Sequence, residues 1–380
     1  MKIVADENMP LVDSLFGELG EVVRLPGRSM SATDVKDADI LLVRSVTQVN
    51  ESLLSGSSVK FVGTATIGTD HVDMSWLESQ GIAFANAPGC NAHSVVDYVI
   101  SALICLCQDE YKSISDLSVG VIGAGNVGRR LITRLKKLGV EVKAYDPFVE
   151  DDSLPLVSFD EVLNCDVVSL HVPLTKDGEH PTFHLINEDA LRCMKRSAVL
   201  INTSRGPVVD NAALKQHLIL CSEFKAVLDV WEAEPVVERE LLDLVDLGTA
   251  HIAGYSLDGK YRGTFQIYTE ACKFLGLPMR KRLPQMLPEP DLVQVGFSKE
   301  SVFEEVFPRL VQVAYDIRRD DRALRRAVLR STNVAEAFDL LRKNYPTRRE
   351  FSSLSVKMRK NDSVNCSKFE AAGFKVKVKS

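Results

Sequence analysis

Short runs of apolar, largely β-branched residues recur along the chain. Between them lie stretches whose apolar positions fall three and four apart. Runs of the first kind predict strands buried on both faces, and the second kind predicts amphipathic helices. Near the N-terminus, strands are expected at residues 3–5, 22–25, 40–43, 61–62 and 82–85, with helices at 11–19 and around 53–54. The run ILLV at 40–43 ends in Arg44-Ser45, and the 61–62 strand runs into GTATIGTD. Residues 94–108 form an apolar helix that carries the chain onward. The alternation then resumes, with strands at 119–122, 140–145, 167–172, 198–202, 224–230 and 249–252 and helices at 159–163, 191–194 and 212–217. A helix over 260–276 returns the chain to the first part. Such alternation predicts open parallel sheets flanked by helices, whose ligands sit beyond the carboxyl ends of the strands.

One stretch names a ligand class. Residues 119–147 read VGVIGAGNVGRRLITRLKKLGVEVKAYDP. A strand turns through Gly123, Gly125 and Gly128 into a helix with Leu131, Ile132, Leu135 and Leu138 on one face, and a second strand ends on Asp146. That order is a dinucleotide-binding fingerprint in its required context. Gly123 permits the tight turn, Gly125 admits the pyrophosphate and Gly128 lets helix and strand pack closely. The pyrophosphate would meet the free N–H groups of the helix N-terminus. Asp146 would accept hydrogen bonds from the adenosine ribose, and its charge would repel a 2′-phosphate, so NAD is expected over NADP. The plainer alternative is an ordinary βαβ turn without a ligand.

Beyond this part the pattern changes. Residues 283–290, LPQMLPEP, read as a linker. After it, 302–315 and 335–344 read as helices, and 355–359 and 374–378 as edge-forming strands. Arg318, Arg319, Arg322, Arg325, Arg326 and Arg330 crowd one stretch. They form either a solvated helical face or a surface for a partner or an anionic substrate.

Length and composition bound the rest. At 380 residues, two or three domains are expected. A net charge of −6 argues against nucleic acid as the partner of the whole chain. The eight cysteines form no paired framework, and no CxxC or HExxH appears, so no metal site is expected. His180 and His184 flank Pro181 without a metal partner at useful spacing. The N-terminus reads as a strand, not as a leader, and no apolar run approaches a membrane span. Reduced thiols then place the protein in the cytoplasm.

Three residues fall at strand ends of the nucleotide half: Arg205 in NTSRGPVVD, Glu234 in DVWEAEP and His251 in TAHIAGYS. Oxidising a 2-hydroxy acid needs a base for the hydroxyl proton, which His251 could be. A carboxylate on its other ring nitrogen would fix the tautomer, and Glu234 is the candidate. Arg205 could grip the substrate carboxylate with two parallel hydrogen bonds. Taken singly, each has a plainer reading: a packed histidine, a turn and a loop support. His71, Asp73 and His93 read as structural.

These motifs together resemble the D-isomer-specific 2-hydroxyacid dehydrogenases, through VGVIGAGNVG, INTSRGPVVD, LDVWEAEP and AHIAGYS. A narrower set, ADENMP, VRSVTQVN, VGTATIGTDHVD, NAPGCNAHSVVDYV, HVPLTKDGEHPTFHL and HIAGYSLDGKYRGT, is similar to the branch acting in vitamin B6 synthesis. That branch oxidises 4-phospho-D-erythronate to 3-hydroxy-2-oxo-4-phosphooxybutanoate with NAD. The resemblance implies His251 as proton donor and acceptor, with Arg205 and Glu234 as the other active-site residues. It implies substrate contacts at Ser45, Thr66 and Tyr255. NAD contacts follow at Asp146, Thr175, Asp229 and Gly254, joined by Asn126 and Val127 at the helix start. It further implies a homodimer formed through the C-terminal region. A substrate anionic at both ends needs a second cation beyond Arg205. Arg44 either supplies it or pairs with a local carboxylate such as Asp70.

The expected fold is α/β: two Rossmann-like, doubly wound parallel-sheet domains with a cleft between them, plus a C-terminal α+β dimerisation domain. Residues 1–95, completed by 255–280, form the substrate domain, 96–254 the NAD-binding domain and 281–380 the dimerisation domain. Two rivals remain at this point. One is another 2-hydroxyacid dehydrogenase, such as one acting on 3-phosphoglycerate. The other is a non-catalytic relative that senses NAD as a corepressor does.

Overall fold

The computed structural model describes residues 1–110, 112–297, 302–358 and 363–378. The chain divides into two compact units, Met1–Asn91 with Ser256–Glu289 and Ala92–Tyr255 with Pro290–Ser380.

The first unit holds five parallel strands: β1 (Lys2–Asp6), β2 (Glu21–Leu25), β3 (Ile40–Val43), β4 (Phe61–Thr64) and β5 (Ala83–Ala85). Their order in the sheet is β2-β1-β3-β4-β5, a doubly wound arrangement whose order reverses between β1 and β3. Side chains alternate between two cores. Ile3, Ala5, Ile40, Leu42 and Phe61 enter one, and Val4, Leu41, Val43 and Val62 enter the other. The helix Leu257–Phe274, capped by Ser256, packs Ile267, Tyr268 and Ala271 into the first of these cores. The helix expected over 11–19 is only Val12–Phe16.

The second unit contains a six-stranded parallel sheet: β6 (Ser118–Ile122), β7 (Glu141–Tyr145), β8 (Val167–Leu170), β9 (Val199–Asn202), β10 (Lys225–Leu228) and β11 (Leu247–Gly248). Its order is β11-β10-β9-β8-β6-β7, with the reversal between β6 and β8. Alternation again separates two cores. Val119, Val121, Val167, Ile201 and Val227 point to one, and Ile122, Val168, Leu200, Ala226 and Leu228 to the other. The helix Ala92–Asp109 is buried over nearly its whole length in the first of these cores. Its apolar residues run all round the helix rather than in a stripe, and Ser94, Asp97 and Ser101 are buried among them.

From Pro290 onward, the stretch expected as a separate domain packs within this second unit. Phe303, Phe307, Leu310, Phe351 and Val356 share the core of the Ala92–Asp109 helix, while Leu324, Val328 and Phe338 join the opposite one. It carries a small parallel sheet of β12 (Gln294–Gly296), β13 (Ser355–Met358) and β14 (Lys375–Val378), in that order. The strand expected as an edge at 355–359 is therefore the central one, and Arg359 lies outside the described residues.

Two further expectations are corrected. The strand placed at 249–252 is Leu247–Gly248, because residues 249–252 bend away to donate hydrogen bonds to a buried carboxylate. The arginine-rich stretch is a helix, Ile317–Arg330, but not a uniformly solvated one. Ile317, Asp320, Asp321, Leu324 and Val328 are buried. Asp321 accepts from Gly248 N (2.8 Å) and pairs with Arg325, whose Nη2 donates to the Val245 carbonyl (2.7 Å). Spaced three and four apart, Ile317, Asp320 with Asp321, Leu324 and Val328 form one inward face, which Asp321 fastens beside β11.

Candidate active site

The glycine turn lies at the carboxyl end of β6. Gly123 has φ +94°, and a Cβ there would sit 2.6 Å from the His171 carbonyl. A Cβ on Gly128 would collide with the Gly123 carbonyl, whereas one on Gly125 would meet nothing. Gly128 is therefore required by packing, and Gly125 borders open space where the helix Asn126–Lys137 begins. That helix starts with Asn126 and Val127 and has no side-chain cap on its first amides. Asp146, just past β7, accepts from Ala124 N (2.8 Å) and Phe148 N (3.0 Å). The acid is thus locked to the turn. Free amides, open space at Gly125 and an adjacent carboxylate fit a dinucleotide.

His171 follows β8 behind this turn. Its Nε2 meets Ser169 Oγ (2.9 Å) and its Nδ1 meets Thr203 Oγ1 (3.3 Å). Burial lowers its pKa to about 3, so the ring stays neutral. Thr175, in the loop beyond, exchanges hydrogen bonds with Thr182 and shapes that loop.

The catalytic candidates follow three adjacent strands. Arg205 lies past β9, Glu234 past β10 and His251 past β11. His251 Nδ1 lies 2.8 Å from Glu234 Oε2. A carboxylate only accepts, so Nδ1 carries the proton and Nε2 is left as the basic nitrogen. The other oxygen of Glu234 accepts from Trp231 N (2.8 Å), which fixes the carboxylate plane. His251 itself has φ +53°, a conformation the surrounding bonds must hold.

Asp229 does much of that holding. Its carboxylate accepts from Thr249 Oγ1 (2.6 Å), Ile252 N (2.7 Å) and Ala253 N (2.9 Å), and its own carbonyl accepts from His251 N (2.7 Å). Burial pushes the Asp229 carboxyl above its usual range, against the pull of His251 and these hydrogen bonds. Expected as a cofactor contact, Asp229 is here committed to the loop 249–254 that carries His251 and Gly254. Trp231 Nε1 donates to the Thr249 carbonyl (2.9 Å), tying the Glu234 loop to the same element.

Arg205 is joined to this frame through its neighbour. A Cβ on Gly206 would collide with the Trp231 carbonyl, so the Arg205 loop lies directly against the backbone before Glu234. A brace unseen in the sequence reinforces the contact. His184 Nε2 bonds Glu232 Oε1 (2.7 Å), His184 N donates to the Pro207 carbonyl (2.8 Å), and Glu232 Oε2 accepts from Asn211 N (3.0 Å). His184 also lies 3.7 Å from Asp210, so the fold gives it the carboxylate neighbours that sequence spacing withheld. Asp210 caps the helix Asn211–Leu220, and Glu232 holds that helix's first amide. The three groups therefore act as a brace, whose signal lies only in the folded chain.

Tyr255 closes the second unit. Its ring meets Tyr345 edge-on at 5.8 Å, and the Arg342 guanidinium lies 5.6 Å from its centroid.

In the first unit, Arg44 and Ser45 follow β3 at the reversal beside β1. Arg44 Nε lies 3.2 Å from Asp6 Oδ1, and Asp6 is fully buried. The local carboxylate is thus Asp6, not Asp70. Ser45 is exposed. Thr66 Oγ1 lies 2.8 Å from Thr64 Oγ1 and donates to the Gly68 carbonyl (2.9 Å). His71 bonds Thr64, and Asp73 caps the helix Met74–Ser79, both structural as expected.

Residues 107–253 match the family described as D-isomer specific 2-hydroxyacid dehydrogenase, NAD binding domain, and residues 286–370 match a domain of unknown function. The chain is 48% identical over 384 residues to an erythronate-4-phosphate dehydrogenase of Marinobacter nauticus, covering all of both chains. It is 50% identical over 364 residues to one of Pseudomonas putida, covering 94% of this chain and 95% of that one. In fold it is similar to the NAD+-bound 3-phosphoglycerate dehydrogenase of Entamoeba histolytica. That match has a TM-score of 0.64 at 24% identity and covers 73% of this chain and 95% of the other. Among the described residues, no helix is long and apolar enough to cross a membrane.

Proposed function

We propose a mechanism from one premise: this chain belongs to the D-isomer-specific 2-hydroxyacid dehydrogenase family, among its erythronate-4-phosphate dehydrogenases. It is an NAD-dependent oxidoreductase that converts 4-phospho-D-erythronate to 3-hydroxy-2-oxo-4-phosphooxybutanoate, a step of vitamin B6 synthesis. The observation that carries the reading is the His251–Glu234 pair at 2.8 Å, at the carboxyl end of the same parallel sheet as the glycine turn.

His251 Nε2 takes the proton of the substrate's 2-hydroxyl. Its Nδ1–H stays on Glu234, which stabilises the imidazolium that forms. Arg205 holds the substrate carboxylate and draws charge toward the forming carbonyl. When bound, NAD would supply the acceptor for the hydride released from the same carbon. The C–H and O–H bonds break, the C=O bond forms, and the proton remains on His251 until solvent removes it. Gly123, Gly125, Asn126 and Val127 would cradle the pyrophosphate, Gly128 would let the helix pack close to the turn, and Asp146 would hold the ribose. Thr175, Asp229 and Gly254 complete the cofactor side, Asp229 chiefly by fixing the loop 249–254. Ser45, Thr66 and Tyr255 offer hydroxyls to the substrate. Arg44 offers less than its formal charge, because Asp6 neutralises it.

The C-terminal region would join two copies into a homodimer. Among the described residues no disulfide joins the cysteines, which suits the reducing cytoplasm. The test follows nicotinamide absorbance with 4-phospho-D-erythronate, 3-phosphoglycerate and unphosphorylated 2-hydroxy acids in parallel, with a keto acid present to recycle any retained NADH. Turnover favouring 4-phospho-D-erythronate supports the reading. Preference for 3-phosphoglycerate, or NAD binding without turnover of any of them, overturns it.

A further inference from the structure

The proposed substrate is anionic at both ends. Arg205 accounts for its carboxylate, while the phosphate still needs a cation. Arg44 is poorly suited to it, because the fully buried Asp6 lies against its guanidinium. Taking a phosphate would mean sharing that charge.

Arg342 stands differently. It lies near the end of the helix Val334–Lys343, within the region that matches a domain of unknown function. Its guanidinium is over the Tyr255 ring at 5.6 Å and near the Phe338 ring at 6.0 Å. Among the described residues, its side chain has no carboxylate or carbonyl partner, and its Nε, like that of Arg44, is buried without a hydrogen bond. Its neighbours are already committed. Asp320 accepts from Tyr345 (2.6 Å) and Tyr315 (2.9 Å) and faces Arg319, while Arg325 pairs with Asp321. Stacking uses the face of a guanidinium and leaves its in-plane N–H groups free to donate. A stacked, unpaired arginine is therefore organised to receive an oxyanion before one arrives, at little further cost in side-chain entropy.

We propose that Arg342 is the cation that receives the phosphate of the substrate, beside the Tyr255 hydroxyl. The proposal rests on the reading of Tyr255 as a substrate contact. It gives the C-terminal region a part in specificity, separate from any part in assembly.

The test compares the wild type with Arg342→Gln and Arg342→Lys, using 4-phospho-D-erythronate and D-erythronate as substrates and inorganic phosphate as a competitive inhibitor. In Arg342→Gln, KM for 4-phospho-D-erythronate should rise about 10- to 100-fold, the range of one lost charged hydrogen bond. Its kcat should change only a few-fold, and NAD affinity and kcat/KM for D-erythronate should hold. Inhibition by inorganic phosphate should weaken in parallel, and Arg342→Lys should recover part of both. Equal losses on the two substrates would mean that Arg342 only props the Tyr255 ring, and would overturn the proposal. So would an unchanged inhibition constant for phosphate. A wild type that does not oxidise 4-phospho-D-erythronate would instead overturn the underlying reading, and this proposal with it.

Discussion

The two units solve the same packing problem, and the turn at the strand-order reversal sets them apart chemically. Each is a doubly wound parallel sheet with a strand-order reversal, and each sends alternate side chains into two cores. After β6 comes Gly123-Ala124-Gly125, with open space at Gly125 and an uncapped helix start. β1 instead ends on a fully buried carboxylate: Asp6 accepts from Asn8 N (2.7 Å) and faces Arg44. The first turn presents amides to an anion, and the second has its own anion in place. Architecture alone therefore does not make a nucleotide site. The charge at the reversal point decides it.

The largest effect that can break this contrast belongs to the second unit. His251→Asn should lower kcat by roughly 10²–10⁴, the range for a lost acid–base group, and leave the NAD dissociation constant unchanged. Stopped-flow and binding titrations separate the two, and near-normal turnover would remove His251 from the chemistry. Next comes Asp146→Ala, which should weaken NAD by roughly ten- to a hundredfold and narrow the preference over NADP. An unaltered NAD-to-NADP ratio would detach Asp146 from the ribose.

In the first unit the expected effect moves from activity to stability. Arg44→Ala leaves the buried Asp6 carboxylate without its cation. Because the Arg44 side chain is 29% exposed, the loss should be about 1–3 kcal/mol rather than that of a wholly buried pair. Denaturant unfolding should show this loss, and Asp6→Asn on top of Arg44→Ala should recover part of it. KM for 4-phospho-D-erythronate should move less than in Arg342→Gln. A larger KM effect at Arg44 would reverse that assignment.

What was legible in the sequence follows the same division. Strand positions were readable because these strands are buried on both faces and write continuous apolar runs. The glycine turn was readable because each glycine answers a local constraint within one βαβ unit. His251, Glu234 and Arg205 were readable as a set, since each follows a strand. Partnerships across the fold were not. Nothing local links Arg44 to Asp6, His184 to Glu232, or Arg342 to Tyr255, and two-residue β11 is too short to leave a pattern. The arginine run misled because its inward face carries Asp320 and Asp321, whose burial depends on partners far along the chain.

The smallest effect compares two histidines in matching settings. His71 bonds Thr64 past β4, and His171 bonds Ser169 past β8, each through Nε2 at 2.9 Å. Burial lowers both pKa values, His171 to about 3, while Asp70 opposes the shift at His71. A histidine unfolded near pH 6.5 and depressed in the fold binds fewer protons natively. Its contribution to stability is then complete above about pH 6.5 and is lost as pH falls toward the folded value. Stability measured by denaturant unfolding should decline between pH 6.5 and 4. His171→Gln should flatten that decline more than His71→Gln, because only His71 has an adjacent carboxylate to favour its charged form. Equal slopes in the two variants would show that Asp70 does not distinguish the two sites.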